Sequence, residues 1–227
     1  MLKICVISDL HGNLIDIQPC ELLLICGDIV PLRMQRNIPQ SLSWFKKNFI
    51  PWIESLPCEE VVFIAGNHDF FLQSSALEVV NLIKNTKITY LENSYYNYLS
   101  KDAKLYKIYG TPDCHQFGNW AFMYSDEYLK DSYSRIPENC DIIITHDAPK
   151  LNNLGLVPPN IYHSDFIDAG NEILAEAVLS KHPNFIFNGH IHEGNHNLTD
   201  IDGIKMANVS ILNDNYQIFY EPLYLEI

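Results

Sequence analysis

The sequence predicts a layered α/β or α+β fold, and three observations carry that prediction. Short, nearly unbroken apolar runs recur at residues 2–8, 21–26, 60–65, 141–145 and 184–187, the composition of strands whose sheet is covered on both faces. Helical candidates lie among them at 40–56, 74–85, 127–136 and 166–182, and strands interleaved with helices assemble in layers. With 227 residues, 47% of them hydrophobic, the chain can bury one large core, so a single domain spanning 1–227 is expected.

Each element has its own justification. The run 2–8 opens the chain without the charged head, long apolar stretch and small-residue cleavage site of an export signal. No later stretch approaches the ~18 uninterrupted apolar residues of a membrane helix, so a soluble, cytoplasmic protein with no membrane partner is expected. Residues 86–91, 95–100 and 105–109, separated by turns at 92–94 and 101–103, predict an antiparallel meander. Residues 152–160, with Gly155, Pro158 and Pro159, predict a surface loop. The helix at 166–182 is the clearest, because Ile167, Leu174 and Val178 mark an apolar stripe. Residues 205–210 and 216–220, parted by 212–215, predict a closing hairpin.

Composition narrows the partners. Acidic residues outnumber basic ones 28 to 15, a formal charge of −13, which repels a long polyanion. Long DNA or RNA is therefore not expected as a substrate. The six cysteines, Cys5, Cys20, Cys26, Cys58, Cys114 and Cys140, form no C-x-x-C pair. Reduced core thiols are expected rather than disulfides or a zinc site.

The polar residues that carry chemistry follow the apolar runs. The run 2–8 leads into Asp9 and His11, 21–26 into Gly27 and Asp28, and 60–65 into Gly66, Asn67, His68 and Asp69. The run 141–145 ends at His146, and 184–187 leads to Gly189, His190 and His192. In sheets of this kind ligand groups collect at the carboxyl ends of the strands. Asp9, His11, Asp28, Asn67, His146, His190 and His192, which are two carboxylates, an amide oxygen and four imidazoles, suit Mn²⁺, Fe or Zn²⁺. Seven donors are too many for one catalytic ion and suit two ions that share a carboxylate. Any one of these histidines alone reads as a core or surface residue. Five of nine histidines behind four of the five apolar runs are poorly explained that way.

The segments SDLHGN (8–13), GD (27–28), GNHD (66–69), TH (145–146) and GHIH (189–192) resemble, in order and spacing, the motif series of the calcineurin-like metallophosphoesterase superfamily. Segments 108–112, 119–122, 141–146 and 189–194 resemble its small metallophosphoesterase-domain-containing branch, which is linked to cyclic nucleotide phosphodiesterase activity. The resemblance implies a four-layer αββα sandwich, two mixed central sheets flanked by helices. It places Asp9, His11, Asp28 and His192 on one divalent ion and Asp28, Asn67, His146 and His190 on the other, with Asp28 bridging. Mn²⁺ is the favoured metal, with Fe, Zn²⁺, Co²⁺ or Ni²⁺ as alternatives. His68 would sit over the substrate, oriented by Asp69.

Two cations about 3.5–4 Å apart lower the pKa of a bridging water and neutralise phosphoryl oxygens, so hydroxide attack on phosphorus is the expected reaction. His68 would stabilise or protonate the departing oxygen, with Asp69 fixing its tautomer. The three arginines, Arg33, Arg36 and Arg135, are few for clamping a phosphomonoester dianion. A small nucleotide-like phosphodiester is therefore favoured over a phosphomonoester or phosphoprotein. A non-catalytic scaffold is the third reading, opposed by the full donor set. Asn67, His68, Arg33 and His115 are the candidate substrate contacts. Trp120 and Phe122 could line the pocket or pack in the core. His163 is a candidate for the rim, and His182 and His196 are expected on the surface.

Overall fold

The computed structural model describes residues 1–161 and 163–227. In chain order the first part carries β1 (Lys3–Ile7), β2 (Cys20–Ile25), α1 (Ile38–Trp44), α2 (Ile50–Ser55), β3 (Cys58–Phe63), α3 (Phe70–Ile83) and β4 (Ile88–Tyr90). The middle carries β5 (Ser94–Leu99), β6 (Leu105–Thr111), β7 (Cys114–His115), β8 (Met123–Tyr124), α4 (Asp126–Ser134) and β9 (Ile142–Thr145). The last part carries β10 (Leu156–Val157), β11 (Ile167–Asp168), α5 (Glu172–Lys181), β12 (Phe185–Asn188), β13 (Thr199–Ile201), β14 (Ile204–Asn208) and β15 (Leu223–Glu226).

Among the described residues two large sheets form. The first has the order β15-β1-β2-β3-β4, parallel except for β15; the second has the order β13-β14-β12-β9-β6-β5, parallel except for the edge strands β13 and β5. Successive strand residues point to opposite faces, and in these strands both faces are apolar. Ile4 and Val6 of β1, Leu22 and Leu24 of β2, and Ile142 and Ile144 of β9 fill the core between the sheets. Cys5, Ile7, Leu23 and Ile25 point the other way, onto Phe45, Phe49, Ile53 and Phe71 of the first helical layer. Ile143 and Ile186 face Leu129, Tyr133, Leu174 and Val178 of α4 and α5. The result is the four-layer αββα sandwich. Each fully buried Leu, Ile or Phe contributes about 1.5–3 kcal/mol. No helix among the described residues is long and apolar enough to cross a membrane.

Several expectations need correction. The helix at 40–56 is three pieces: α1, a π turn over Phe45–Phe49 in which the Ile50 N–H donates to the Phe45 carbonyl, and α2. Pro51 has no N–H to offer and its ring presses on the carbonyl four residues back, and the widened turn before it makes room. The helix expected at 74–85 starts four residues earlier, at Phe70, and bends at Ser75, where φ is −139°. The helix at 166–182 starts only at Glu172, because the Asn171 side chain accepts from the N–H groups of Ile173 and Leu174 and caps it. Ahead of that cap, β11 pairs with β10, inside the segment expected to be plain loop.

The predicted meander divides between the sheets: β4 lies parallel to β3 in the first, and only β5 and β6 form an antiparallel pair in the second. Residues 205–210 do not close a hairpin with 216–220. Instead β14 pairs with β12 and β13, while 216–220 contributes one isolated bridge, Leu212 to Ile218. The strand that closes the first sheet is β15, antiparallel to β1.

Candidate metal centre

The site is built where the parallel strands end. Asp9 and His11 follow β1, Asp28 follows β2, Asn67 and His68 follow β3, His146 follows β9, and His190 and His192 follow β12. Asp9, His11, Asp28 and His190 have φ of 57°, 42°, 54° and 70°, the left-handed region that non-glycine residues avoid at a cost of order 1–3 kcal/mol each. That backbone turns the chain off the strand and swings the side chains over the sheet edge. Gly189 is required for close approach, since a Cβ there would run into Ser8 Oγ and the Asp9 carboxylate.

Residues far apart in sequence converge. Asp28 Oδ2 lies 3.4 Å from His11 Nε2, 3.4 Å from His146 Nε2 and 3.8 Å from His68 Nε2. Asp9 Oδ1 lies 3.5 Å from His192 Nε2, and Asn67 Oδ1 lies 2.9 Å from His146 Nε2. The His190 ring sits 5.0 Å from that of His146, and its backbone N–H donates to the Asp9 carboxylate. Three donor groups close to within 4.8 Å: Asp9 with His11 and His192, Asp9 with Asp28 and His146, and His11 with Asp28 and His68. Both carboxylates thus serve two groups, whereas the sequence suggested sharing only at Asp28.

The tautomers suit metal ligation. His146 Nδ1 donates to the Cys26 carbonyl at 2.8 Å and His192 Nδ1 to the Asn213 carbonyl at 2.9 Å, so in each neutral ring the lone pair sits on the Nε2 that faces the cluster. Among the described residues, His190 Nε2 and both ring nitrogens of His11 are buried without a hydrogen-bond partner. Buried orphan imidazole nitrogens beside two buried carboxylates fit a divalent metal site.

Charge among the side chains of the cluster is paired. Burial works against the ionised forms of Asp9 and Asp28, yet His192 holds Asp9, and His146 and His68 hold Asp28, well below the usual carboxylate range. Burial likewise opposes the charged imidazoles, but Asp28 raises His146 to about 10 and Asp9 raises His192 to about 9. Burial pushes His11 and His190 down to about 4, leaving them neutral.

Beside the cluster lies a cavity of about 420 Å³, lined by Asp28, Asn67, His68, His115, Phe117, Trp120, Ala169, His190, Ile191, His192 and Tyr216. The His68 ring packs on Trp120 with centroids 4.6 Å apart, and its Nδ1 faces the Gln35 side-chain oxygen. Asp69 does not orient His68. Its fully buried carboxylate accepts from the N–H groups of Gly66, Ile29 and Val30, tying the loops after β2 and β3 together, while burial and Asp28 push it up to about 7. His115 lines the cavity with Nδ1 3.0 Å from Asp147 Oδ2, a carboxylate also held by Asn171 Nδ2 at 2.8 Å. That bond raises the His115 pKa against burial.

Other expectations fall elsewhere. Arg33 is exposed and outside the cavity lining; Arg36 instead caps Trp120 and Phe70, 4.8 and 4.6 Å from their ring centres. Phe122 is fully buried in the core. His163 bonds Asn160 and the Asp165 carbonyl and does not line the cavity. His182 ends α5 on the surface, but His196 is half-buried, stacked on Tyr220 and bonded to the His192 carbonyl. Gln35, Tyr216, Phe117 and Asn213 were missed, since none sits in a motif or at a strand end.

Residues 2–194 match the family described as Calcineurin-like phosphoesterase. The chain belongs to that family. Metallophosphoesterase domain-containing protein 1 of Homo sapiens is 27% identical over 250 aligned positions, covering 99% of this chain and 70% of that protein, and the Mus musculus protein of the same name matches equally. Among solved structures, phosphopantetheinyl hydrolase from Mycobacterium tuberculosis shares the fold at a TM-score of 0.60 and 14% identity, over 94% of this chain and 90% of that one. A protein of Thermus thermophilus, TT1561, does so at 0.56 and 13%, over 92% and 88%. As a family member the chain is a metal-dependent phosphoric ester hydrolase.

Proposed function

We propose that this phosphoesterase is a phosphodiesterase that holds two divalent cations, with Mn²⁺ favoured, and acts on a small diester carrying a flat, nucleotide-like group. The observation that carries the reading is the cavity: donors form its floor, Phe117, Trp120 and Tyr216 form its walls, and among the described residues its lining includes no arginine or lysine. Aromatic walls favour a planar group, and the missing fixed cations favour a singly charged diester over a dianion.

Asp9, His11, Asp28, Asn67, His146, His190 and His192 would hold the cations, which when bound would supply Lewis acidity toward water and offset phosphoryl charge. The protein's own part is positional. Trp120 and Gln35 fix the His68 ring with Nδ1 engaged, and Nε2, 3.8 Å from Asp28 Oδ2, is the atom that would hand a proton to the departing oxygen when the ring carries two. Asn67 places its amide beside His146 at the cavity floor.

One feature favours a second reading, a phosphomonoesterase: His115, kept readily protonated by Asp147, is a cation source for a dianion. Hydrolysis of bis-p-nitrophenyl phosphate against p-nitrophenyl phosphate with Mn²⁺ decides. A higher kcat/KM for the diester is expected; a higher value for the monoester overturns the phosphodiesterase.

A further inference from the structure

Far from the metal centre, Cys20 and Cys58 occupy the first positions of β2 and β3 and are Cα partners in the parallel ladder. Neighbouring strands lie about 4.7–4.9 Å apart, inside the roughly 4.4–6.8 Å Cα separation that a disulfide spans. Both side chains enter the same core under the first helical layer, so neither strand must turn over for the sulfurs to meet. Each keeps 7% exposure, whereas Cys5, Cys26 and Cys114 keep none. Cys20 also lines a surface cavity of about 210 Å³ together with Gln18 and Tyr224. Lys87 Nζ donates to the carbonyls of Leu56 at 2.7 Å and Cys58 at 3.0 Å, which sets an ammonium beside Cys58.

We infer that Cys20 and Cys58 form a peroxide-oxidisable dithiol, a modification site at the strand ends opposite the metal centre. The thiol chemistry agrees with the geometry. A hydrogen bond from the Cys20 thiol, helped by the charge of Lys87, brings Cys58 down to about 7 against burial, and the thiolate is the reacting form. The same hydrogen bond, with burial, keeps Cys20 a thiol. Burial pushes Cys5, Cys26, Cys114 and Cys140 upward, so these remain unreactive thiols.

The steps balance. The Cys58 thiolate attacks one oxygen of hydrogen peroxide, the O–O bond breaks, and the departing hydroxide takes a proton to become water. Cys58 is then a sulfenic acid. The Cys20 sulfur attacks that sulfur, the S–S bond forms as the S–O bond breaks, and the Cys20 proton leaves with the hydroxyl as a second water. The two thiols give up two electrons and two hydrogens, and the peroxide takes both.

The test uses the full chain, reduced, freed of reductant and treated with hydrogen peroxide under native conditions, then denatured, alkylated and mapped by mass spectrometry. The expected result is a loss of two hydrogens, a fall of two in the six titratable thiols, and one Cys20–Cys58 cross-linked peptide that dithiothreitol cleaves. In Cys20→Ser, dimedone should trap Cys58 as its sulfenic acid; in Cys58→Ser, peroxide uptake should drop at least about tenfold. Six thiols still titratable, a cross-link between any other pair, or Cys58→Ser reacting as fast as the parent overturns the inference. The peptide map of the unsubstituted chain decides even where a variant fails to fold.

Discussion

Gln35 does for His68 what the motif suggested Asp69 would do, and the two residues should separate in experiment. Removing Gln35 deletes one hydrogen bond to the ring, worth about 0.5–1.5 kcal/mol, so Gln35→Leu should lower kcat by roughly 2- to 10-fold while the melting temperature falls by only a few degrees at most. Asp69→Ala instead leaves the buried N–H groups of Gly66, Ile29 and Val30 unpaired. Each orphan costs about 1–3 kcal/mol, so the melting temperature should fall steeply. A change of kcat alone in Asp69→Ala would return the orienting role to Asp69. His68→Ala should lower kcat by about 10²–10⁴ with metal content unchanged. Metal analysis of the purified variant checks this, and loss of an ion would make His68 a ligand, as its place in a donor group with His11 and Asp28 allows.

At the scale of elements, the strands that end at the site were legible because each is short, apolar on both faces and followed by Gly, Asp, Asn or His. The sheet to which a strand belongs was not. The segment containing β4 has the same alternation whether it pairs with β3 or β5; contacts of Val61, Val62 and Phe63 with Ile88, Thr89 and Tyr90 decide it. The start of α5 was misplaced because Ile167 fits a helical stripe equally well as an exposed strand residue. The donors were readable from their place directly behind the apolar runs and in the motif segments, and the structure adds that Asp9, His11, Asp28 and His190 take a left-handed backbone there. Gln35 and Asn213 come from segments whose place is set by tertiary contacts alone. Gly189 tests the turn: Gly189→Ala drives a methyl into Ser8 and Asp9, next to His190. Metal affinity should fall at least about tenfold while the apolar strands keep the circular dichroism of the parent. Mn²⁺ titration followed by calorimetry measures it, and an unchanged affinity would show that the loop yields freely.

Across the whole molecule, the donor cluster joins the two sheets at one edge. Asp9, His11, Asp28 and Asn67 come from the first sheet, and His146, His190 and His192 from the second. Without ions the seam is held by carboxylate–imidazolium pairs, which fixes its pH dependence. His146 and His192 are raised from 6.5 to about 10 and about 9, so their contribution is fully present below 6.5 and is lost as pH rises through 9 and 10. Asp9 and Asp28 are depressed below 3.8, so theirs is present above that value and lost as pH falls through the lower, folded values. Divalent ions need the Nε2 lone pairs of the same histidines, and binding must expel those protons. Metal affinity should therefore climb as pH rises toward 9, just where the metal-free seam weakens. Ion at 100 times its dissociation constant stabilises by about 2.7 kcal/mol, a shift of roughly 2–4 °C per kcal/mol for a chain of this size. Melting curves with Mn²⁺ and with chelator, taken at steps from about pH 6 to about pH 9, should show this gap widen. A gap that stays constant with pH would mean that the protons on His146 and His192 are not what the ions displace.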